Sequence, residues 1–298
     1  MQNPIEAISP PRPAAPAEGE IHPRPSSLSD TAAARSACPV TWITGGASGI
    51  GLATAQALGR SGHRIVISGR REAELDRALA LLRSEQIQAR ALALDVGDAR
   101  AVEAAARSIA DQEGRIDALV CSAGTNVPNR YWTSLDAQAF AKVTQINLNG
   151  VAFCIAAVLA AMRAQGAGTI VVVSSWAGWR YISFTGAAYS ASKQALAPLV
   201  ESLNDQEGMH GVRATLVCPG EVATPILRSR PVPPSEEDLQ RMLRAEDVGA
   251  AIAYAVQAPA HVCLNEIVIS PTRNRIYTGA PDLQRPVSSA LVSHGSGA

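Results

Sequence analysis

Between residues 39 and 275, short apolar runs alternate with longer helical patterns. The runs predict strands over Val40–Thr44, Ile65–Ser68, Ala91–Leu94, Ala118–Cys121, Thr169–Val173, Arg213–Val217 and Glu266–Ile269. Several are apolar on successive residues, as a strand covered on both faces should be. The intervening patterns predict helices, among them Leu52–Ser61, Glu72–Glu85, Ala99–Gln112 and Phe140–Ala164. Such alternation implies an α/β architecture, a doubly wound parallel sheet of about seven strands with helices on both faces. No repeat and no linker interrupts it, so residues 39–275 are expected to form a single domain. Residues 1–38 are rich in Pro, Ala and Ser and too poor in apolar surface to offset chain entropy, which predicts a disordered tail. Residues 276–298 are expected to be a second loose end.

Composition narrows the function classes. The formal net charge is zero and the pI is near 7.0, without the basic excess of a nucleic-acid binder. No uninterrupted apolar run reaches bilayer-spanning length, so no membrane partner is expected. The N-terminus lacks the charged-then-apolar order of a secretory signal, and Glu6, Glu18, Glu20 and Asp30 argue against a transit peptide. Five cysteines (Cys38, Cys121, Cys154, Cys218, Cys263) are scattered without metal-ligand spacing. They predict a reducing, cytoplasmic setting with no disulfide framework and no metal site.

The first strand runs into Thr44-Gly45-Gly46-Ala47-Ser48-Gly49-Ile50-Gly51 and then a helix. Glycines at such a turn allow positive φ and close approach of a pyrophosphate, which the free N–H groups of the helix start would bind. The second strand ends in Ser68-Gly69-Arg70-Arg71. An acidic residue there would select NAD through the ribose hydroxyl. Arg70 instead favours NADP through its 2′-phosphate, with NAD left possible and a solvated helix start as the alternative. Asp95, in Leu94-Asp95-Val96, either accepts from an adenine amino group or caps the next helix.

Tyr189 and Lys193 are four residues apart in Ala-Ala-Tyr189-Ser-Ala-Ser-Lys193, a spacing that stacks a phenol and an ammonium on one helix face. A nearby cation lowers a phenol's pKa and suits it to acid–base work near neutral pH. Ser174-Ser175 closes the fifth strand, and Asn147 sits in Ile146-Asn147-Leu148-Asn149-Gly150. With the glycine turn, these residues resemble the classical short-chain dehydrogenase/reductase family, over roughly residues 39 to 275.

The resemblance implies a Rossmann-type fold and roles at the matching positions. Tyr189 would be the general acid/base, and Lys193 would lower its pKa and hold the nicotinamide ribose. Ser175 would bind the substrate oxygen, with Ser174 an alternative because Ser175 lies one residue farther from Tyr189 than is common. Asn147 would anchor a proton-relay water. Thr44, Gly45, Ser48, Gly49, Ile50 and Gly51 would form the cofactor turn. Arg70, Asp95, Val96, Ala123 and Gly124 would serve the adenosine half. Pro219, Gly220, Val222 and Thr224 would meet the nicotinamide end. Cys121-Ser122-Ala123-Gly124 departs from the family's Asn-Asn-Ala-Gly.

Aromatic residues are scarce, yet Trp132, Trp176, Trp179 and Tyr181 fall in segments the fold would bring near the nicotinamide, with Phe184 following. They predict a pocket for a hydrophobic or ring-bearing carbonyl or alcohol; alternatively they pack loops or a subunit contact. Ile226–Arg244, with Pro231, Pro233 and Pro234, would be a lid, on which Arg228 and Arg230 either meet an anionic group or form a solvated face. The expected protein is an NADP(H)-preferring oxidoreductase interconverting a secondary alcohol and a ketone. A homodimer or homotetramer would form through the helix of Tyr189. The alternative is a catalytically silent nucleotide-binding regulatory or scaffold protein.

Overall fold

The order of apolar runs along the chain becomes a sheet whose strand order differs from chain order. The computed structural model describes residues 38–230, 232–279 and 283. The tail expected over 1–38 lies outside them except for Cys38. The chain runs β1 (Val40–Thr44), α1 (Gly49–Arg60), β2 (Arg64–Gly69), α2 (Glu72–Ser84), β3 (Ala89–Ala93), α3 (Ala99–Glu113) and β4 (Ala118–Cys121). There follow α4 (Ala137–Thr144), a π-turn (Gln145–Asn149), α5 (Gly150–Gln165), β5 (Gly168–Val173), α6 (Trp176–Trp179), α7 (Ala187–Gln194) and α8 (Leu196–Glu207). The last elements are β6 (Val212–Pro219), α9 (Glu236–Arg241), α10 (Ala245–Gln257), β7 (Glu266–Ile269) and α11 (Arg275–Thr278).

The seven strands form one parallel sheet in the order β3-β2-β1-β4-β5-β6-β7. Every residue of β1, β4 and β5 is buried, because helices cover both faces. Successive side chains feed opposite cores. Trp42, Leu119 and Ile170 meet α3, α5 and α8 on one face. Ile43, Val120 and Val171 meet α1, α2 and α10 on the other. Because β1 has β2 on one side and β4 on the other, the helices diverge there. A crevice opens beyond the carboxyl ends of β1 and β4, where ligands bind in such sheets.

Three expectations change. The third strand begins earlier, at Ala89, because it pairs with β2 only on one side and its half-exposed Ala-Arg-Ala run carries a weak apolar signal. The helix predicted over Phe140–Ala164 is broken by the π-turn, and Asp136 starts it by accepting the N–H of Ala139. By length and composition alone residues 137–165 are long and apolar enough to cross a membrane, although Lys142, Asn147 and Arg163 interrupt the apolar run. Val151, Cys154, Ile155, Val158 and Met162 of α5 are instead buried against the sheet. Finally, the chain beyond 275 is not wholly loose. Ile276 packs with Trp176, Ile182, Phe184 and Leu283 in a small core of its own.

Helix α1, which begins at the glycine turn, lies against α10. Gly249 of α10 permits this: a methyl there would sit 2.9 Å from the carbonyl carbon of Ala53 and 3.0 Å from the nitrogen of Thr54. Helix propensity alone favours alanine at position 249 by about 1 kcal/mol. Overpacking against rigid backbone opposes it by about 1–3 kcal/mol. Gly249→Ala is therefore expected to lower the melting temperature by a few degrees in a thermal unfolding scan; a rise would show that the two helices part freely.

Candidate active site

The glycine turn is shaped by backbone contacts. Gly45 has φ +67°, and an added Cβ would lie 2.8 Å from the nitrogen of Ala123, so only glycine lets β1 turn against the segment after β4. Thr44 Oγ1 accepts the Ala123 N–H at 3.3 Å from behind. Gly51 closes on the carbonyl oxygen of Gly45. Thr44 and Gly51 thus shape the turn from outside the cleft, whereas Gly45, Ser48, Gly49 and Ile50 line it. Helix α1 has no side-chain cap and no acidic residue in its first turn, and its start faces the cleft with the macrodipole's positive end.

The cleft has a volume of about 580 Å³. At one end it is bordered by Gly69, the exposed Arg70 and Arg71, and by Glu74. Asp95 and Val96 also border it. Asp95 Oδ1 accepts the Gly97 N–H at 2.9 Å, while Asp98, not Asp95, caps α3. Ala123 and Gly124 form the floor, and Pro219, Gly220, Val222 and Thr224 the wall after β6.

At the other end, Tyr189 and Lys193 of α7 line the cleft with Ser174 and Ser175. Lys193 is buried, and its Nζ donates to the carbonyl oxygen of Val173 at 2.8 Å. Burial lowers its pKa to about 8. Ser174 is turned inward, its Oγ donating to the Lys193 carbonyl at 2.9 Å. The Ser175 hydroxyl instead lines the cleft on the side of the Tyr189 phenol, whose ionised form it favours, and accepts the Ala177 N–H that starts α6. The spacing of the two serines alone left the choice open; the geometry puts Ser175 against the phenol. Asn147 lies behind the cleft and is fully buried. Its Oδ1 accepts the Thr125 N–H at 2.8 Å and its Nδ2 donates to the Thr125 carbonyl at 2.9 Å and to Ser192 Oγ at 3.2 Å. The π-turn that breaks the helix holds Asn147 there, as such turns often do at sites.

The electrostatics differ from the simple pair expected. Burial pushes the Tyr189 phenol above its ordinary pKa, and the opposing cations are Arg230 and Arg130. The Lys193 ammonium, 6.0 Å from the Tyr189 ring centroid, is directed to Val173 instead. A single arginine in a loop gives no sequence signal of burial, yet Arg130 is 4 % exposed and lines the cleft.

The aromatic residues divide. Trp176 and Phe184 line the cleft. Trp132 and Tyr181 are 77 % and 67 % exposed and stand outside its lining. Trp179 also stands outside, edge-on to Trp176 with Arg180 over its other side. The expected aromatic wall is corrected to Trp176 and Phe184, with Ile182, Leu227 and Ile276 supplying the rest.

Comparisons with known proteins agree with this geometry. A family model for short chain dehydrogenases matches residues 39–233. Cis-4-hydroxycyclohexanecarboxylate dehydrogenase of Sinomonas cyclohexanicum is 34 % identical, over 77 % of this chain and 93 % of the relative. The crystal structure of levodione reductase superposes with a TM-score of 0.73 at 29 % identity, covering 78 % of this chain and 96 % of that one. An actinorhodin polyketide ketoreductase crystallised with NADPH gives 0.72 at 28 % identity, covering 78 % and 95 %. With the parallel sheet, the glycine turn and the Tyr189–Lys193 helix on one cleft, these matches place the chain in the short-chain dehydrogenase/reductase family, as an oxidoreductase.

Proposed function

We propose that the chain binds a nicotinamide dinucleotide, NADP(H) in preference to NAD(H), and interconverts a secondary alcohol and a ketone with Tyr189 as general acid/base. One observation carries this reading: Tyr189, Ser175 and Lys193 line the same cleft as an uncapped helix start behind a glycine turn. The residues fit such a cofactor. The start of α1 suits a pyrophosphate, Asp95 can accept from an adenine amino group, and Arg70 and Arg71, at the same end of the cleft, would meet a ribose phosphate. The NADPH of the related ketoreductase supports the phosphorylated form. The dehydrogenase relative is named for a ring-borne secondary alcohol, which supports the reaction class.

When bound, the nicotinamide supplies or accepts the hydride. The chain's own groups handle oxygen and proton. The Ser175 hydroxyl positions the substrate oxygen, and the Tyr189 hydroxyl donates its proton as negative charge develops there. In the reverse direction the phenolate takes the proton back. Lys193 would hold the nicotinamide ribose, and Asn147 fixes the Thr125 segment that lines the cleft with it. The same reading gives a homodimer or homotetramer through the outer face of α7 and α8, where Ala191 is exposed and Ala187, Ala195 and Leu199 are half-buried.

Tyr189→Phe is expected to lower kcat for ketone reduction by about 10²–10⁴-fold, with NADPH binding retained in a tryptophan-quenching titration; retained turnover would overturn the assignment. Arg70→Ala is expected to weaken NADPH about 10–100-fold, the loss of a charge-assisted contact, and to leave NADH unchanged. Tighter binding of NADH by the unaltered protein would remove the NADP preference and keep the oxidoreductase. The pH profile follows from the two shifts. Phenol and ammonium are both protonated below about 8, and as pH rises through about 8 the ammonium is lost first. For reduction, kcat/KM is expected to be flat near neutrality and to fall above about 8. A break appearing only above 10.0 would assign the profile to Tyr189 alone.

A further inference from the structure

Two arginines stand at the substrate end of the cleft, on loops far apart in sequence. Arg130 follows β4 and Arg230 follows β6, and both line the cavity with Tyr189 and Ser175. Each is anchored. Arg130 Nε donates to the Val127 carbonyl at 3.0 Å. Its backbone is docked on the start of α7: Ala187 N donates to the Arg130 carbonyl at 3.3 Å, and Gly186, at φ +84°, leaves room that a Cβ 2.5 Å from that oxygen would take. The loop of Arg130 is thus tied to the helix that carries Tyr189. Arg230 Nη1 donates to Glu221 Oε1 at 2.7 Å, and its guanidinium lies over the Phe184 ring, 5.1 Å from the centroid. Glu221 is itself buried and held by Arg275 at 3.5 Å.

The two guanidinium groups are near enough to repel, and both act on the Tyr189 phenol. Glu221 offsets Arg230 from one side, and a second anion entering between the two guanidinium groups would relieve the repulsion that remains. Planar guanidinium forks match a carboxylate's two oxygens. The walls between them, Trp176, Ile182, Phe184 and Leu227, are apolar. We propose that the substrate is a keto or hydroxy acid, its carboxylate held by Arg130 and Arg230 and its apolar body set against Trp176 and Phe184 so that the carbonyl meets Tyr189 and Ser175. This rests on the alcohol–ketone reading of the cleft. The lid arginine that the sequence left between an anion site and a solvated face therefore belongs to the pocket, and its partner is Arg130.

The test separates charge recognition from turnover. Cyclohexanecarboxylate, which has no carbonyl to reduce, and the isosteric cyclohexanecarboxamide are titrated calorimetrically into the full chain saturated with NADP. The carboxylate is expected to bind about tenfold or more tightly than the amide, with an affinity that falls as salt rises. Arg130→Met and Arg230→Met are each expected to abolish that preference, and Arg130→Lys to keep part of it. NADPH titration of each variant reports that the fold is intact. Equal binding of acid and amide, no saturable binding of the acid at millimolar concentration, or a preference that survives in both methionine variants overturns the proposal. The parallel assay compares reduction of 4-oxocyclohexanecarboxylate with that of its methyl ester. Preferential reduction of the acid supports the proposal. Equal rates overturn the carboxylate site and leave the oxidoreductase standing. Tight, arginine-dependent binding of the acid with no reduction of any ketone supports the site and overturns the reaction instead.

Discussion

The buried ammonium of Lys193 is the constraint around which the cleft is built. An ammonium removed from water must find acceptors or lose its proton, and Lys193 donates to the carbonyl of Val173, the last residue of β5. That bond pins α7 to the carboxyl edge of the sheet. One turn earlier on the same helix, Tyr189 is then held over the crevice. The chain leaving β5 completes the arrangement. Ser174 donates to the Lys193 carbonyl, and Ser175, next in an extended stretch of chain, lines the cleft with Tyr189. Gly178 makes this possible, because a Cβ there would strike Ser174 Oγ and the Lys193 carbonyl. Asn147 and Ser192 brace the far side.

How much of this the sequence discloses depends on whether a signal is local. Strands buried on both faces read directly, since Val40–Thr44 and Ala118–Cys121 carry their burial in their composition. The edge strand Ala89–Ala93 does not, because a half-exposed run is compatible with several registers. The helix over 137–165 shows no composition change at Gln145, so its π-turn is invisible until Asn147 is seen bonding Thr125. Tyr189, Lys193 and the glycine turn were legible because their spacing encodes their geometry. The tryptophans were legible only as a group: spacing cannot say which way a loop faces, and Trp132 turned to solvent while Trp176 turned inward. Arg130 and Glu221 carried no signal at all. A charged residue is normally solvated; Glu221 is buried with Arg230 and Arg275, and Arg130 on a loop docked against the start of α7.

The same distinction governs the chemistry. Spacing argues that Lys193 lowers the pKa of Tyr189. Burial argues the opposite, and burial dominates, since the phenol loses its water while the ammonium spends its strongest bond on Val173. The cations that do favour the phenolate come from Arg130 and Arg230. An anion seated between them would cancel much of that influence and leave desolvation unopposed. Substrate charge and the protonation of Tyr189 are then coupled. A carboxylate bound there would hold the phenol protonated, as a proton donor to a ketone must be, whereas oxidation of the corresponding hydroxy acid would have to form a phenolate with the anion in place. On this argument a bound carboxylate would raise the pH at which Tyr189 ceases to be a proton donor, while the net direction is set by the cofactor and substrate pools.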